Sequence, residues 1–343
     1  MRASRTLIIL TVILLAACAG TADQDPLASE IERWSAFLKS RPAEDKLRQE
    51  SQPAITRAEE ALTQGKRLLA IQRLLTARED LAITAYMAQR PAEQRKDMAA
   101  FEAEWKRMGD ALLASPPATE DLHPAAVRAL AEASLPQVRT YYDASLEYGR
   151  NTMPEQGLYY LGAAQAQREA VELLRTLSTR DSRREPPLRS LRPEIDALES
   201  EMLAVYRPPV SIDRHGEFIT ASATLKEARE LDEAGLRYGA LLRYLQAALQ
   251  FAPLRGSSPP AKAGSVPDKA LATRLAQGDV DHSIGQLLLE AAQAHLAANS
   301  SATAATITGD VLPRYFAALE PARPQEPRPA PKVKVTLVRW PYT

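Results

Sequence analysis

The chain has 343 residues, 45% hydrophobic and 25% charged, the proportions of a folded globular protein with ample length for a buried core. Lys plus Arg and Asp plus Glu number 43 each, so no global field steers it toward nucleic acid or an acidic surface. The single cysteine excludes an intrachain disulfide, a Cys-based zinc site and a CxxC redox pair, and four histidines leave few metal ligands or general bases.

Arg2 and Arg5 precede an apolar run from Leu7 to Leu15, and small residues follow, which is the order of a secretory signal. The run to Ala17 falls short of the about 20 residues a helical span needs. It ends in Leu15-Ala16-Ala17-Cys18, which resembles the lipobox of bacterial lipoproteins. That resemblance implies cleavage between Ala17 and Cys18, a lipid on the Cys18 thiol and acylation of the new amine. Several acyl chains anchor a protein stably where one is marginal. The residue after the cysteine is Ala19 and not Asp, which in that family implies an outer membrane, with the body facing the periplasm. Residues 1–17 are therefore expected to be a signal peptide and residues 18–26 a short tether. The membrane, reached through Cys18, is the first expected partner.

From Leu27 to about residue 320 the pattern is 3.6-periodic and rich in Ala, Leu, Glu, Gln and Arg, which predicts an all-α body. Ile31, Trp34, Phe37 and Leu38 form one stripe, closed by Arg41-Pro42; Ile55, Ala58, Ala61 and Leu62 form a second, closed by Gly65. Leu68, Leu69, Ile71, Leu74, Leu75 and Leu81 continue to Arg90-Pro91, and Phe101, Trp105, Met108 and Leu112 run to Ser115-Pro116-Pro117. A long segment opens at Leu122-His123-Pro124 and runs to Tyr148, with Pro136 expected to kink or break it. After the turn at Asn151 to Pro154, Leu158, Leu161, Val171, Leu173 and Leu174 mark a helix ending near Ser178. Prolines and glycines are read as falling between these segments, and the body as divisible into 27–150 and 151–320.

Arg180 to Arg192 holds five arginines and Pro186-Pro187; a solvated loop is favoured over an anionic headgroup contact. A helix follows from Ile195 to Tyr206. Alternation around Gly216 then predicts a small β-hairpin over 210–219, with helices resuming from Ala223 to Phe251. Residues 253–267 read as a Pro/Gly/Ser loop, and a last helical pair is expected near Leu287–Leu296 and Ile307–Leu319.

A weak internal repeat pairs a glycine with an amphipathic helix at Gly65, Gly157 and Gly235. Gly65, Ala70, Leu74 and Ala77 resemble the second-helix signature of tetratricopeptide repeats; Ala240 to Pro253, with Tyr244 and Ala248, is similar but out of register at its glycine. The spacings do not follow that family's period of about 34 residues, and its tryptophan and first-helix pattern are missing. A tetratricopeptide-like array of helical hairpins and an irregular helical bundle both stand open. The resemblance, where it holds, implies a concave groove for an extended partner.

Pro321, Pro324, Pro327, Pro329 and Pro331 make residues 321–331 a stiff polyproline-like spacer. Residues 332–343 carry the chain's best strand pattern, Lys332-Val333-Lys334-Val335-Thr336-Leu337-Val338-Arg339-Trp340. A lone strand must pair. It can fold back on 210–219, add to a partner's sheet edge through Val333, Val335, Leu337 and Trp340, or remain an unstructured terminus.

No catalytic constellation, metal set or cofactor motif stands out. Asp281 or Ser283 reads as the N-cap of the helix beginning Ile284-Gly285. Glu290 and His295 are too far apart for a shared helical face of zinc ligands. Glu59-Glu60 and Glu227 to Glu230 read as solvated helix faces, and His123 and His215 sit in turns. Tyr141, Tyr142, Tyr148, Tyr159 and Tyr160 cluster around one turn; packing is favoured over stacking of a peptide or glycan. The leading expectation is a lipid-anchored, non-enzymatic scaffold for an envelope protein partner. An envelope enzyme or regulator of a cell-wall enzyme, and a carrier of an apolar ligand, are the alternatives.

Overall fold

The structure is a computed structural model and describes residues 25–114, 118–151, 153–179, 183–208, 212–255, 269–276 and 278–320. The chain is all-α. Its helices are α1 (Pro26–Lys39), α2 (Lys46–Thr63), α3 (Arg67–Ala88), α4 (Ala92–Arg95), α5 (Met98–Leu113), α6 (Ala125–Arg150) and α7 (Pro154–Leu177). They continue as α8 (Arg192–Val205), α9 (His215–Glu233), α10 (Arg237–Phe251), α11 (Lys269–Ala276), α12 (Ser283–Ala297), α13 (Ser301–Thr306) and α14 (Leu312–Leu319), with a π-helical turn (Ile307–Val311) joining the last two. No strand occurs among the described residues, and Arg184 and Val280 form an isolated parallel bridge.

Six helices form a row in the order α2, α3, α7, α6, α10, α9, each packed on the next. The row is thus three hairpins, with α6–α7 in the middle. α1 covers α2, α8 covers α9, α5 lies across α6 and α7, and α12 touches both α3 and α6. One apolar core runs from Leu27 to Ala318 and draws on both 27–150 and 151–320. A second cluster, around Phe101, Met108, Tyr142 and Leu161, lies under α5.

The outer hairpins turn alike. Gly65 (φ +73°) ends α2 and Gly235 (φ +80°) ends α9, in the left-handed region that glycine adopts without a Cβ penalty. Lys66 N–H donates to Ala61 O and Leu236 N–H to Leu231 O, each at 2.9 Å, the six-to-one bond that closes a helix C-terminus. The expected third copy is corrected: Gly157 is not a turn residue but lies inside α7. There it lets α7 approach Gly149 of α6, and the Phe101 ring fills the notch between them so closely that a Cβ on either glycine would clash.

Three further expectations fail. The hairpin over 210–219 is absent where the chain is described: Ile212–Arg214 is a 3-10 turn and His215 begins α9. Its alternation coincides with the first turns of an amphipathic helix. α6 is continuous through Pro136 and α2 through Pro53, so prolines do lie inside helices. Each costs a single backbone bond, which packing on both neighbours offsets. Asp281 or Ser283 was expected at the N-cap of the helix beginning near Ile284; His282 occupies that position in α12, and Asp281 and Ser283 cap a different helix. Asp281 Oδ2 accepts from Ala125 N–H at 2.6 Å and Ser283 Oγ from Ala126 N–H at 2.9 Å, at the start of α6. Asp281 Oδ1 does bond Ser283 N–H at 2.8 Å.

The same solution recurs along the row. α3, α6 and α10 have no cap of their own. Glu290 of α12 accepts from Leu69 N–H at 3.0 Å, and Glu132 of α6 accepts from Gly239 N–H at 2.9 Å. Buried Glu132 also receives Arg128 Nε at 2.7 Å. Glu132→Ala leaves both donors short of a partner and is expected to destabilise the fold by about 3 kcal/mol, measured by urea unfolding.

Between α3 and α5, Arg107, Arg90 and the Tyr86 hydroxyl hold the Glu104 carboxyl down to about 2, well below its ordinary 4.5. A depressed carboxyl stabilises the fold above its unfolded pKa and loses that contribution as pH falls toward the folded one. Stability is therefore expected to drop between about pH 4.5 and pH 2. In Glu104→Gln that acid limb should be flatter and stability at neutral pH lower, as read by thermal melts across pH.

Candidate functional site

The α6–α7 hairpin presents two aromatic surfaces. Positions 138, 142, 145 and 149 of α6 are buried in the body of the molecule. Tyr142 stacks on Trp105 with ring centroids 4.9 Å apart, so it belongs to the packing beneath α5. Beside it opens a cleft of about 630 Å³ lined by Trp105, Lys106, Gly109, Asp110, Leu113 and Tyr142.

The other tyrosines meet elsewhere. Tyr141 and Tyr148 are two turns apart on α6, so they share a face. Tyr160 of α7 lies against both: its ring stacks on Tyr148 at 4.8 Å and 20° and is tilted over Tyr141 at 6.2 Å. Tyr159 meets Tyr160 edge-on at 5.7 Å. Tyr148 and Tyr159 are exposed, as is Met153 at the turn. Four of the five tyrosines singled out in the sequence thus form a platform, while the fifth packs the interior.

Carboxylates surround the platform. The Tyr141 hydroxyl donates to Glu79 of α3 at 3.1 Å. Burial first, then Glu79, pushes the Tyr141 phenol above its ordinary value; burial, then Asp80 and Glu79, does the same to Tyr159. The neighbouring Tyr160 raises Tyr148, with Glu147 adding to it. These three rings therefore stay neutral at physiological pH. Glu227 also acts on Tyr141 but is paired with Arg243 at 3.1 Å. Glu79, Asp80 and Glu147 form no ion pair among the described residues. The sequence reading missed these carboxylates because Glu79 and Asp80 come from α3, far along the chain from Glu147 of α6, and only the packing of α3 on α7 brings the first two beside the tyrosines.

Electron-rich ring faces beside unpaired carboxylates attract cations: a guanidinium or ammonium over a ring gains about 0.5–1 kcal/mol at an exposed site. The platform thus suits a basic group on a flexible chain.

The remaining candidates resolve as structure. Glu185, Arg128 and Tyr238 form one polar hub: Arg128 Nη1 reaches Glu185 at 2.8 Å, and the Tyr238 hydroxyl reaches it at 3.1 Å. His123 Nδ1 lies 3.6 Å from Glu185, beside the cis His123–Pro124 bond. Within the arginine-rich loop, Arg189 forks onto Glu194 and Arg184 pairs its backbone with Asp279 and Asp281. His282 Nδ1 lies 3.0 Å from the Tyr315 hydroxyl, and His215 Nδ1 lies 2.7 Å from that of Tyr206. Among the described residues no cluster of three or more His, Asp or Glu is placed to hold a metal ion, and no helix is long and apolar enough to cross a membrane. Ala17 and Cys18, the 321–331 spacer, and Val333, Val335, Leu337 and Trp340 lie outside the described residues. No protein family, curated protein or solved structure matches the chain.

The exposed and anchored rings should respond differently to substitution. Tyr148→Ala is expected to change stability by less than about 0.5 kcal/mol, as exposed positions do. Tyr141→Phe, which frees Glu79 from a half-buried hydrogen bond, should cost about 1 kcal/mol in urea unfolding.

Proposed function

We propose that the chain is a bacterial lipoprotein, anchored through Cys18, whose helical body holds a basic segment of an envelope protein on the tyrosine platform. The observation that carries the binding half is the pair of exposed rings, Tyr148 and Tyr159, set against half-buried Tyr160 beside Glu79, Asp80 and Glu147, which form no ion pair among the described residues. Elsewhere in the chain most buried or half-buried carboxylates are satisfied by Arg, by Tyr or by helix N–H groups. The anchoring half rests on Leu15-Ala16-Ala17-Cys18 and the apolar run before it.

In this reading the body is a short array of helical hairpins. Its likeness to tetratricopeptide repeats is supported by the matching Gly65 and Gly235 turns and the small residues Ala70, Ala77, Ala240 and Ala248 in the helices that follow. The partner segment crosses the hairpins at the platform, with a basic side chain over the Tyr148 or Tyr159 ring.

Two measurements test the halves separately. Cys18→Ser should shift the protein from the membrane fraction to the soluble fraction; unchanged processing and fractionation would overturn the anchor. An arginine-rich peptide should bind the purified protein more weakly as salt rises, because exposed charges are screened. The double variant Tyr148→Ala/Tyr159→Ala should weaken it by about ten-fold, two cation–π contacts' worth. Equal binding of a glutamate-rich peptide of the same length would reject the platform.

A further inference from the structure

Three basic side chains from three helices meet around Arg73 of α3. The Arg73 Nη1 donates to the Arg57 carbonyl of α2 at 2.8 Å, which pins the guanidinium against that helix. α12 packs on α3 as well, joined to it by Glu290, which accepts from Leu69 N–H at 3.0 Å. Lys66 is among the groups that act on Glu290, and Arg73 acts on His295, so α12 and α3 run in the same direction. His295 lies five residues beyond Glu290 and Arg73 four beyond Leu69, about 7.5 and 6 Å along their helices, so the two stand level.

The cluster is electrostatically unfavourable by itself. Burial first, then the Arg57 charge, lowers the Arg73 guanidinium from its ordinary value, with Glu60 opposing. Burial, then Arg73, does the same to the His295 imidazole. Arg73 and His295 are half-buried and Arg57 is exposed. None of the three forms an ion pair among the described residues, and the other N–H donors of Arg73 make no bond there. Glu60 is exposed on α2 and forms no ion pair either. Like charges gathered without a counter-ion are relieved by a bound anion.

We infer that Arg57, Arg73 and His295 form a binding site for a phosphate group where α2 and α12 pack on α3. A guanidinium presents its N–H groups in a planar fork that matches two phosphate oxygens. Two arginines carry two positive charges, which a phosphate of about −1.5 to −2 balances and a single carboxylate does not. Arg73 stands about 9 Å along α3 from Arg67, which holds Asp25 at 2.9 Å. Under the proposed anchoring this is the membrane-facing end, so the phosphate is either free or the headgroup diester of a lipid.

Calorimetric titration of the purified full chain at constant ionic strength separates these. The probes are inorganic phosphate and glycerophosphoglycerol, the soluble headgroup of an anionic phospholipid, with acetate as the control. At least one phosphate should bind more tightly than acetate. Tighter inorganic phosphate assigns the site to free phosphate, and tighter diester assigns it to a lipid headgroup. Arg73→Gln should weaken binding about ten-fold or more, the loss of a charge-assisted pair. Arg57→Gln, at an exposed position, should also weaken it and carries the test if Arg73→Gln fails to fold by helical circular dichroism. Tyr148→Ala/Tyr159→Ala should leave it unchanged, which separates this site from the tyrosine platform. No binding of either phosphate, acetate binding as tightly, or binding untouched by both arginine substitutions overturns the inference.

Discussion

The row of helices depends on how the starts of α3, α6 and α10 are satisfied. The first backbone N–H groups of a helix have no partner within it, and burying them unpaired costs about 1–3 kcal/mol each. Three peripheral helices solve this locally: Asp25, Asp45 and Asp97 cap α1, α2 and α5 from the residue just before each. α3, α6 and α10 borrow instead. Asp281 and Ser283 serve α6, Glu132 serves α10 and Glu290 serves α3, and each carboxylate also gains from the positive end of the helix dipole. Because donor and acceptor lie more than 100 residues apart in every case, these bonds fix which hairpin stands beside which. Apolar stripes alone would let neighbouring helices slide; a polar contact that must be matched in depth does not.

This division also marks what the sequence discloses. Stripes such as Ile31, Trp34 and Leu38, or Ile55, Ala58 and Ala61, declare a helix and its buried side because the period is local, and those residues are buried. The turns at Gly65 and Gly235 were legible for the same reason. Gly157 was misread because a glycine in a turn and a glycine in a helix crossing look alike until the facing ring, Phe101, is known. The stretch 212–219 was misread because alternation over a few residues fits a strand and the first turns of a helix equally, and the longer run to Glu233 decided it. Remote caps leave no local trace: Glu132 and Glu290 sit mid-helix where a solvated face was the natural reading. The tyrosines of the platform were visible in the sequence, while Glu79, Asp80 and Glu147, which give it a chemical preference, were not.

The arginines point the same way. Five of them in residues 180–192 read along the chain as a solvated loop, with an anion contact as the alternative. In the fold, Arg189 is committed to Glu194 and the backbone of Arg184 is committed to the bridge with Val280. The loop acts as a strap. Through Glu185 it reaches Arg128 and the Tyr238 hydroxyl, and through the Leu188 carbonyl it accepts Arg237 at 2.6 Å, so it closes over the starts of α6 and α10. Formal charge is therefore a poor guide to a binding surface here. What marks the platform is the meeting of tyrosine rings from α6 and α7 with carboxylates of α3 and α6, and that juxtaposition belongs to the tertiary structure.

Placement along the helices gives the platform its meaning. Asp25, where the described chain begins, is held by Arg67 at the start of α3, and Glu320, where it ends, is held by Arg189 close to the start of α10. Tyr86 packing on Gly162 and Arg78 on Ala166 make α3 antiparallel to α7, and Gly149 against Gly157 makes α7 antiparallel to α6. Asp25 and Glu320 therefore both lie at the end of the body where α3 and α6 begin. Tyr148 stands 23 residues along α6 from Ala125, about 35 Å away at 1.5 Å per residue. Under the proposed anchoring, the tether at residues 18–26 holds the first end near the bilayer and α6 carries the tyrosines away from it. A surface whose task was to grip lipid headgroups would be poorly served by that arrangement. A surface that takes a basic segment from a protein standing off the membrane would be well served, and α6, continuous through Pro136 and fixed at its start by Asp281 and Ser283, is the strut that sets the distance.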